Sequence, residues 1–123
     1  MITVTYAGET EQNNTKGLLF KLTFSGNYGV NGVGDICDLT PNKVLDPNLA
    51  YNLILNEPPK NMGVQNANLG GSYIALNPNA NPTLANLGVL MYEPGGTEKA
   101  SNAAYTAGEL AGFALIEVFV PLQ

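Results

Sequence analysis

The sequence predicts an all-β fold: an antiparallel β-sandwich or jelly-roll-like barrel with one or two short helices. In several segments, apolar and polar residues alternate with a period of two, as they do in strands that bury one face. About six to eight such segments follow one another at intervals of roughly ten residues, and turns rich in Gly, Pro and Asn join them. The chain has 123 residues and no linker-like stretch, so we expect residues 1–123 to form a single domain with its own core.

The N-terminal part predicts two strands and a turn. Residues 2–7 form the first strand. Residues 17–25 form the clearest strand, because four large apolar side chains alternate there with polar ones. Those four are Leu18, Phe20, Leu22 and Phe24. Residues 26–34 are rich in Gly and Asn, and the Asn31-Gly32 pair predicts a turn. The order of the glycines does not fit a dinucleotide-binding loop.

The middle of the chain is less regular. Residues 33–39 predict a short strand, which Thr40-Pro41 ends. The pair Asp46-Pro47 predicts the start of a short helix, since Asp can cap a helix and Pro suits its first position. Residues 60–71 predict a long loop or a weak edge strand, and residues 72–76 predict another strand.

The C-terminal part contains a helix signal and the most apolar strand. Residues 77–82 predict a turn-rich loop, and residues 87–92 predict a strand. Residues 97–111 predict a short helix, in which Thr106 and Glu109 have the spacing of a capping box. Residues 113–120 are apolar on both faces. That pattern favours a central strand over a strand covered by another subunit.

The composition argues against catalysis and nucleic-acid binding. His, Arg and Trp are absent, and there is one Cys. Those side chains provide most proton transfer, metal ligation and bidentate anion binding in proteins. The net charge is −5 and the five basic residues are scattered lysines, whereas nucleic-acid binding needs clustered cations. The start of the chain lacks signal-peptide features, and no apolar run is long enough for a membrane span. We therefore expect no enzyme, no nucleic-acid partner and no membrane partner.

The carboxylates and the cysteine are the remaining candidates for chemistry. Cys37 lies between Asp35 and Asp38, which would raise its pKa, so we expect a buried apolar side chain rather than a nucleophile. The two aspartates would point to opposite faces of a strand. Glu93 and Glu98 flank a turn and could meet across it, but a glycosidase also needs groups that bind sugar and tune the carboxylate pKa values. The sequence assigns no catalytic residue, cofactor or metal ligand, although its loop carboxylates leave a calcium site open.

Four stretches carry a resemblance to a known family: GDICDLTP (34–41), LGGSYI (69–74), YEPGGT (92–97) and EVFVP (117–121). With the sparse charges and the Asn-containing turns, they resemble small virion proteins of tailed bacteriophages, in particular capsid decoration (cement) proteins. The resemblance implies a β-sandwich or jelly-roll subunit, often a trimer, that clamps neighbouring major capsid subunits together. It also implies synthesis in the host cytoplasm and a final location on the capsid surface. A single Cys is consistent with synthesis in a reducing compartment.

The predicted function is therefore that of a structural virion protein, a homotrimer whose partner is the major capsid protein. The alternative is a carbohydrate- or receptor-binding β-sandwich module, since Asn-rich loops and exposed tyrosines would also serve sugar binding. For the subunit interface we expect Phe119 and Val120 of the closing strand. We add Tyr28 and Tyr105, whose Gly/Asn-rich and Ala-rich surroundings allow exposure, although a core or rim position with the hydroxyl reaching water is favoured for each tyrosine taken singly.

Overall fold

The computed structural model describes residues 1–12, 15–39, 62–77 and 86–121, which contain seven strands and one short helix. In chain order these are β1 (Ile2–Gln12), β2 (Thr15–Phe24), β3 (Asp35–Cys37), β4 (Met62–Asn68), β5 (Tyr73–Leu76), β6 (Leu87–Tyr92), α1 (Ala107–Ala111) and β7 (Phe113–Pro121). The helix predicted at Asp46-Pro47 and most of the loop predicted at 77–82 lie outside the described residues.

The strands form two antiparallel sheets. The larger sheet has the order β1-β2-β7-β4, and the smaller sheet has the order β3-β6-β5. Every strand pair is antiparallel. The chain passes from one sheet to the other after β2, β3, β4 and β6. The all-β, antiparallel part of the prediction is confirmed, and the described strands form two open sheets rather than a closed barrel.

The hairpin of β1 and β2 follows the predicted alternation. Ile2 pairs with Phe24 at one end and Gln12 pairs with Thr15 at the other. The four apolar side chains of β2 that were expected to face the core are all buried, none more than 4% exposed. β1 continues beyond its predicted end at residue 7. A bulge at Gly8, whose φ of +140° few other residues adopt, shifts the register so that pairing resumes.

β7 lies between β2 and β4, so its predicted central position is confirmed. The inward side chains Ala114, Ile116 and Val118 are fully buried, and the outward side chains Phe113 and Leu115 are half-buried. β4 is the edge strand of the larger sheet, which agrees with the weak edge strand predicted within residues 60–71.

The two sheets share one hydrophobic core. Phe20 and Leu22 of β2 belong to the same buried cluster as Val89 and Met91 of β6. Burying a large apolar side chain contributes about 1.5–3 kcal/mol, so this cluster is the main source of stability.

A tight turn shortens the strand predicted at residues 33–39 to the three residues of β3. The Gly34 N–H donates to the Val30 carbonyl oxygen at 2.8 Å, and the Val30 N–H donates back to the Gly34 carbonyl oxygen at 3.3 Å. Gly34 has a φ of +95°, and a Cβ at this position would lie 2.6 Å from the carbonyl oxygen of Val89. Only glycine lets the turn lie this close to β6.

Candidate functional site

A buried lysine stands at the centre of the most concentrated group of polar side chains. Lys99 lies in the segment between β6 and α1, and its side chain is 1% exposed. Its Nζ lies 3.0 Å from Glu109 Oε1 and 3.2 Å from Glu93 Oε1. It also donates to the carbonyl oxygen of Ala104 at 3.3 Å. Three acceptors therefore surround one ammonium group in the interior.

Glu109 joins this lysine to the start of α1. The capping box predicted from the sequence is present: the Thr106 hydroxyl accepts the Glu109 N–H, and the Glu109 carboxylate accepts the Thr106 N–H. Its second oxygen, Oε2, accepts a hydrogen bond from Ser72 Oγ at 2.6 Å. The side chain is fully buried. It thus ties α1, the loop before β5 and Lys99 together.

The two charges of this pair stabilise each other. Burial alone would raise the pKa of Glu109, but hydrogen bonds from Ser72 and Thr106, together with Lys99, hold that pKa below its usual range. Burial alone would lower the pKa of Lys99, but Glu109 and Glu93 hold it above its usual range. Lys99 therefore stays protonated at neutral pH, and a protonated amine is not a nucleophile.

A second carboxylate fixes the Gly/Asn-rich turn. Glu98 Oε2 accepts from the Tyr28 hydroxyl at 2.8 Å, and both carboxylate oxygens accept from the Gly32 N–H, at 3.0 and 2.7 Å. The Tyr28 hydroxyl accepts in turn from the Met91 N–H at 3.2 Å. These bonds join the turn at residues 30–34 to Met91, near the end of β6.

A third carboxylate binds the other core tyrosine. Asp35 Oδ2 accepts from the Tyr105 hydroxyl at 2.8 Å and lies 2.8 Å from the amino group of Met1. The Tyr105 ring makes an edge contact with Tyr28, with ring centroids 6.2 Å apart. The Lys99 ammonium lies 5.9 Å from the same ring. Burial, and next the carboxylate that each hydroxyl contacts, raise the pKa of both tyrosines.

The structure separates the four predicted interface residues. Tyr28 and Tyr105 are 1% and 5% exposed, so they lie in the core, as favoured for each tyrosine singly, and their inclusion in an exposed interface is wrong. Their rings fill the core, and the partly buried carboxylates of Glu98 and Asp35 bind their hydroxyls. Phe119 and Val120 lie on β7, opposite Gly17 and Lys16 of β2. Their place in an interface stays a prediction.

The other candidate groups are held apart or buried. Glu93 and Glu98 flank their turn as expected, but Glu93 binds Lys99 while Glu98 binds the 30–34 turn. Cys37 is 1% exposed, as predicted. Burial, followed by the two neighbouring aspartates, raises the pKa of its thiol to about 12. Within residues 1–12, 15–39, 62–77 and 86–121, no three His, Cys, Asp or Glu side chains form a metal-binding group.

The central ion pair is the part of the site that sequence reasoning missed. The sequence shows Lys99 only as one of several scattered lysines, and Glu109 only as a helix cap. Ser72, which donates to Glu109, is 37 positions away along the chain, so no local spacing marks the group. The one available signal was the capping box, which fixes Glu109 to the Thr106 backbone but indicates neither its burial nor its pairing with Lys99.

The comparisons with known proteins add no assignment to this geometry. Neither a scan against protein-family models nor searches of curated proteins and solved structures found a match. The described part of the chain contains no helix that is long and apolar enough to cross a membrane.

The carboxylates described above have a structural role, because they hold segments of the same chain together. Asp35, Glu93, Glu98 and Glu109 each accept a hydrogen bond or ion pair from a group of the same chain. The carboxylates bind donors that fix loops, and the buried lysine is charged and surrounded by acceptors. This arrangement orders the segments around the core and holds their outer surfaces in one conformation.

Proposed function

We propose that the protein is a structural virion protein that binds the outside of a bacteriophage capsid and stabilises it by bridging major capsid subunits, without catalysis. One observation carries the proposal: the carboxylates that chemistry would use are bound to donors that fix the protein's own loops. A protein that reinforces a shell needs a rigid surface, because ordering loops on binding would reduce affinity. The resemblance to decoration proteins supports the same role.

The finer fold that we propose is a jelly roll with an added first strand. Its support is the nested pairing of the strands: β2 pairs with β7, and β3 pairs with β6. β4 follows β3 and β5 precedes β6, and the bridge between Leu69 and Ser72 joins them. Such nesting arises when one long antiparallel ribbon is rolled into two sheets, as in jelly-roll domains of capsids.

The proposed assembly is a homotrimer on the capsid surface, with the end of β7 at the subunit interface. β4 pairs with β7 only as far as Val118, whereas β2 continues to Pro121. The support for Phe119 and Val120 is their apolar character within the most apolar strand of the chain.

Light scattering behind a sizing column tests the assembly. We expect a mass about three times the chain mass of 13.0 kDa, and we expect Phe119→Asp to give a folded monomer. Leu110→Asp is the matched control, since Leu110 is 47% exposed on α1 and should leave the trimer intact. Circular dichroism establishes that each variant is folded. A monomeric wild-type protein, or a trimeric Phe119→Asp variant, would contradict this interface.

Cosedimentation with capsid shells tests the function itself. Shells are prepared without this protein from the phage whose genome encodes it. The purified chain should bind them at a fixed number of copies per shell, and it should raise the temperature at which they fall apart. Shells that neither bind the protein nor gain stability would refute the proposal.

A carbohydrate- or receptor-binding module remains the second candidate, because one exposed aromatic pair favours it. Tyr73 and Tyr92 stack face to face across β5 and β6, with ring centroids 5.1 Å apart and planes 11° apart. Tyr73 is 46% exposed, and stacked rings offer a surface to the apolar face of a sugar. A glycan array distinguishes the two functions: specific binding that Tyr73→Ala abolishes would favour the module.

A further inference from the structure

We infer that Asn31-Gly32 is a latent deamidation site, which the native turn keeps unreacted and whose conversion to aspartate opens that turn. The inference concerns a covalent modification and does not depend on the proposed function. Asn31-Gly32 is the only Asn-Gly pair in the sequence. Because glycine has no Cβ, its backbone nitrogen approaches the side-chain carbonyl carbon of a preceding asparagine with little steric hindrance. Both residues are exposed, so water has access to the pair.

The reaction needs only water as a co-reactant. The backbone nitrogen of Gly32 gives up its proton and forms a bond to Cγ of Asn31, and the bond between Cγ and Nδ2 breaks. Nδ2 leaves as ammonia with the proton that the Gly32 nitrogen lost, and a five-membered succinimide remains. One water molecule then opens the succinimide at either carbonyl carbon, which gives aspartate or isoaspartate. Each product carries one negative charge more than asparagine at neutral pH.

The native turn binds both nitrogen atoms that would react. The Gly32 N–H donates to the two carboxylate oxygens of Glu98, at 2.7 and 3.0 Å. Asn31 Nδ2 donates to the carbonyl oxygen of Lys99 at 3.1 Å. The reaction requires Gly32 to lose its proton, and a carboxylate at this distance disfavours negative charge on the nitrogen. The bond to Lys99 restrains rotation of the side-chain amide toward that nitrogen.

The backbone of the pair is fixed as well. The Asn31 N–H donates to Ser101 Oγ at 2.8 Å, and Asn77 Nδ2 donates to the Gly32 carbonyl oxygen at 3.3 Å. Four other residues of the chain therefore hold this dipeptide by hydrogen bonds. One hydrogen bond shifts an equilibrium by a net factor of roughly 2–12. Since the pair reacts from the opened turn, these bonds together should slow deamidation at least about tenfold.

Conversion of the asparagine removes contacts that close the turn. Aspartate has no donor at the place of Nδ2, so a carboxylate oxygen would face the Lys99 carbonyl oxygen, which is also an acceptor. The added charge also lies next to Gly32, whose N–H binds the Glu98 carboxylate. Isoaspartate adds a methylene group to the backbone between Val30 and Gly34, which pair across the turn. Both products therefore favour the open turn.

Mass spectrometry measures the protection. The full chain is incubated at neutral pH, either folded or unfolded in urea. The tryptic peptide 22–43 is then examined for the gain in mass that marks conversion of the Asn31 amide to a carboxyl group. Asn31 should react at least about tenfold more slowly in the folded chain. Equal rates would overturn the inference, since the turn would then give no protection.

Two variants test the protecting bonds in the folded chain. Glu98→Gln keeps an acceptor but removes its charge, and Ser101→Ala removes the acceptor of the Asn31 N–H. Each should raise the native rate by about twofold or more. Glu93→Gln is the matched control, because it neutralises the carboxylate on the other side of the same turn, which binds Lys99 Nζ. Its rate should equal that of the wild type, and circular dichroism establishes that each variant is folded.

Three results of this comparison would overturn the inference. Unchanged rates in both variants would show that these bonds give no protection. A slower reaction in Glu98→Gln would show that the carboxylate takes up the Gly32 proton and promotes the reaction. An equal increase in Glu93→Gln would assign the effect to a general loss of stability.

Asn31→Asp tests the effect of the product on the turn. Its midpoint in urea unfolding should lie below that of Asn86→Asp, which adds the same charge at an exposed position before β6. Equal midpoints would show that the turn tolerates the product, and the inference that deamidation opens the turn would be wrong.

Discussion

Replacing Lys99 with Met tests the buried ion pair most directly. Met has a similar shape and no charge, so the substitution leaves the Glu109 carboxylate buried beside an apolar side chain. The two side chains are 1% and 0% exposed, with Nζ 3.0 Å from Oε1. Removing one partner of a buried pair destabilises a protein by about 3–5 kcal/mol, because the remaining charge stays out of water. Ser72 and Thr106 still donate to Glu109, so we expect about 3 kcal/mol.

Urea unfolding measures this loss. Lys21→Met is the matched control, because Lys21 is exposed and its ammonium lies 5.0 Å from the Phe113 ring. A cation over an aromatic ring at an exposed site contributes about 0.5–1 kcal/mol. The unfolding midpoint should therefore fall much further for Lys99→Met than for Lys21→Met, with the slope unchanged. Equal losses in the two variants would refute the reasoning.

The pH dependence of the stability lost in Lys99→Met distinguishes the contribution of charge from that of packing. In the wild type the pKa of Glu109 lies below its usual range. The stability that Glu109 contributes is therefore present above about pH 4.3, its unfolded value, and is lost as pH falls through the folded pKa. Without Lys99, burial moves that folded pKa upward. The difference in unfolding free energy between wild type and Lys99→Met should be largest near pH 7 and should narrow toward pH 4. A constant difference would indicate packing alone.

Three further outcomes can be measured. Because burial and its acidic neighbours raise the pKa of the Cys37 thiol to about 12, a thiol reagent at pH 8 should label it at least about a hundredfold more slowly in the native protein than in urea; rapid native labelling would contradict its burial. Burial is the largest cause that raises the pKa values of Tyr28 and Tyr105. The stability that these two neutral side chains contribute to the fold is therefore lost only as pH rises above about 10, the pKa of an unfolded tyrosine. In an alkaline titration, absorbance at 295 nm should show Tyr28 and Tyr105 ionising in the same pH step in which the protein unfolds. Tyr28→Phe should reduce the absorbance change of that step by the amount of one tyrosine. Gly34→Ala should cost about 2 kcal/mol more than Gly95→Ala in urea unfolding. Both glycines have positive φ, +95° and +108°, but only at Gly34 would the new Cβ lie 2.6 Å from a β6 carbonyl oxygen; equal losses would assign the effect to φ alone.

The strands were predictable because a strand's alternation is a local property. In β2, Leu18 and Phe20 alternate with exposed or half-buried residues, and a shift by one position would expose all the apolar side chains at once. The same reasoning identified β7 and its central place. The end of β1 was not predictable, since the bulge at Gly8 depends on its pairing with β2. The capping box was predictable because Thr106 and Glu109 are close in sequence.

The side-chain hydrogen bonds between carboxylates and core tyrosines could not be predicted from the sequence, because their donors and acceptors come from distant segments of the chain. Tyr28 and Glu98 are 70 positions apart, as are Tyr105 and Asp35. Neighbouring Gly and Asn residues indicate a loop, and loops commonly lie at the surface. That general rule fails for Tyr28, whose ring enters the core while the turn that follows it stays outside. Burial of a loop tyrosine requires a partner for its hydroxyl, and that partner is visible only once the sheets are assembled.

The chain's small number of charges makes their positions informative. Charged residues form 12% of the sequence, yet Lys99 and Glu109 are buried completely. Stability alone does not require them, because apolar side chains of the same size commonly stabilise a core as well or better. We infer that the directional hydrogen bonds of this ion pair restrict the segments that meet there to one arrangement. In a chain whose loops are rich in Gly and Asn, that restriction holds the outer surface in one shape, as the proposed binding to a symmetric capsid shell would require.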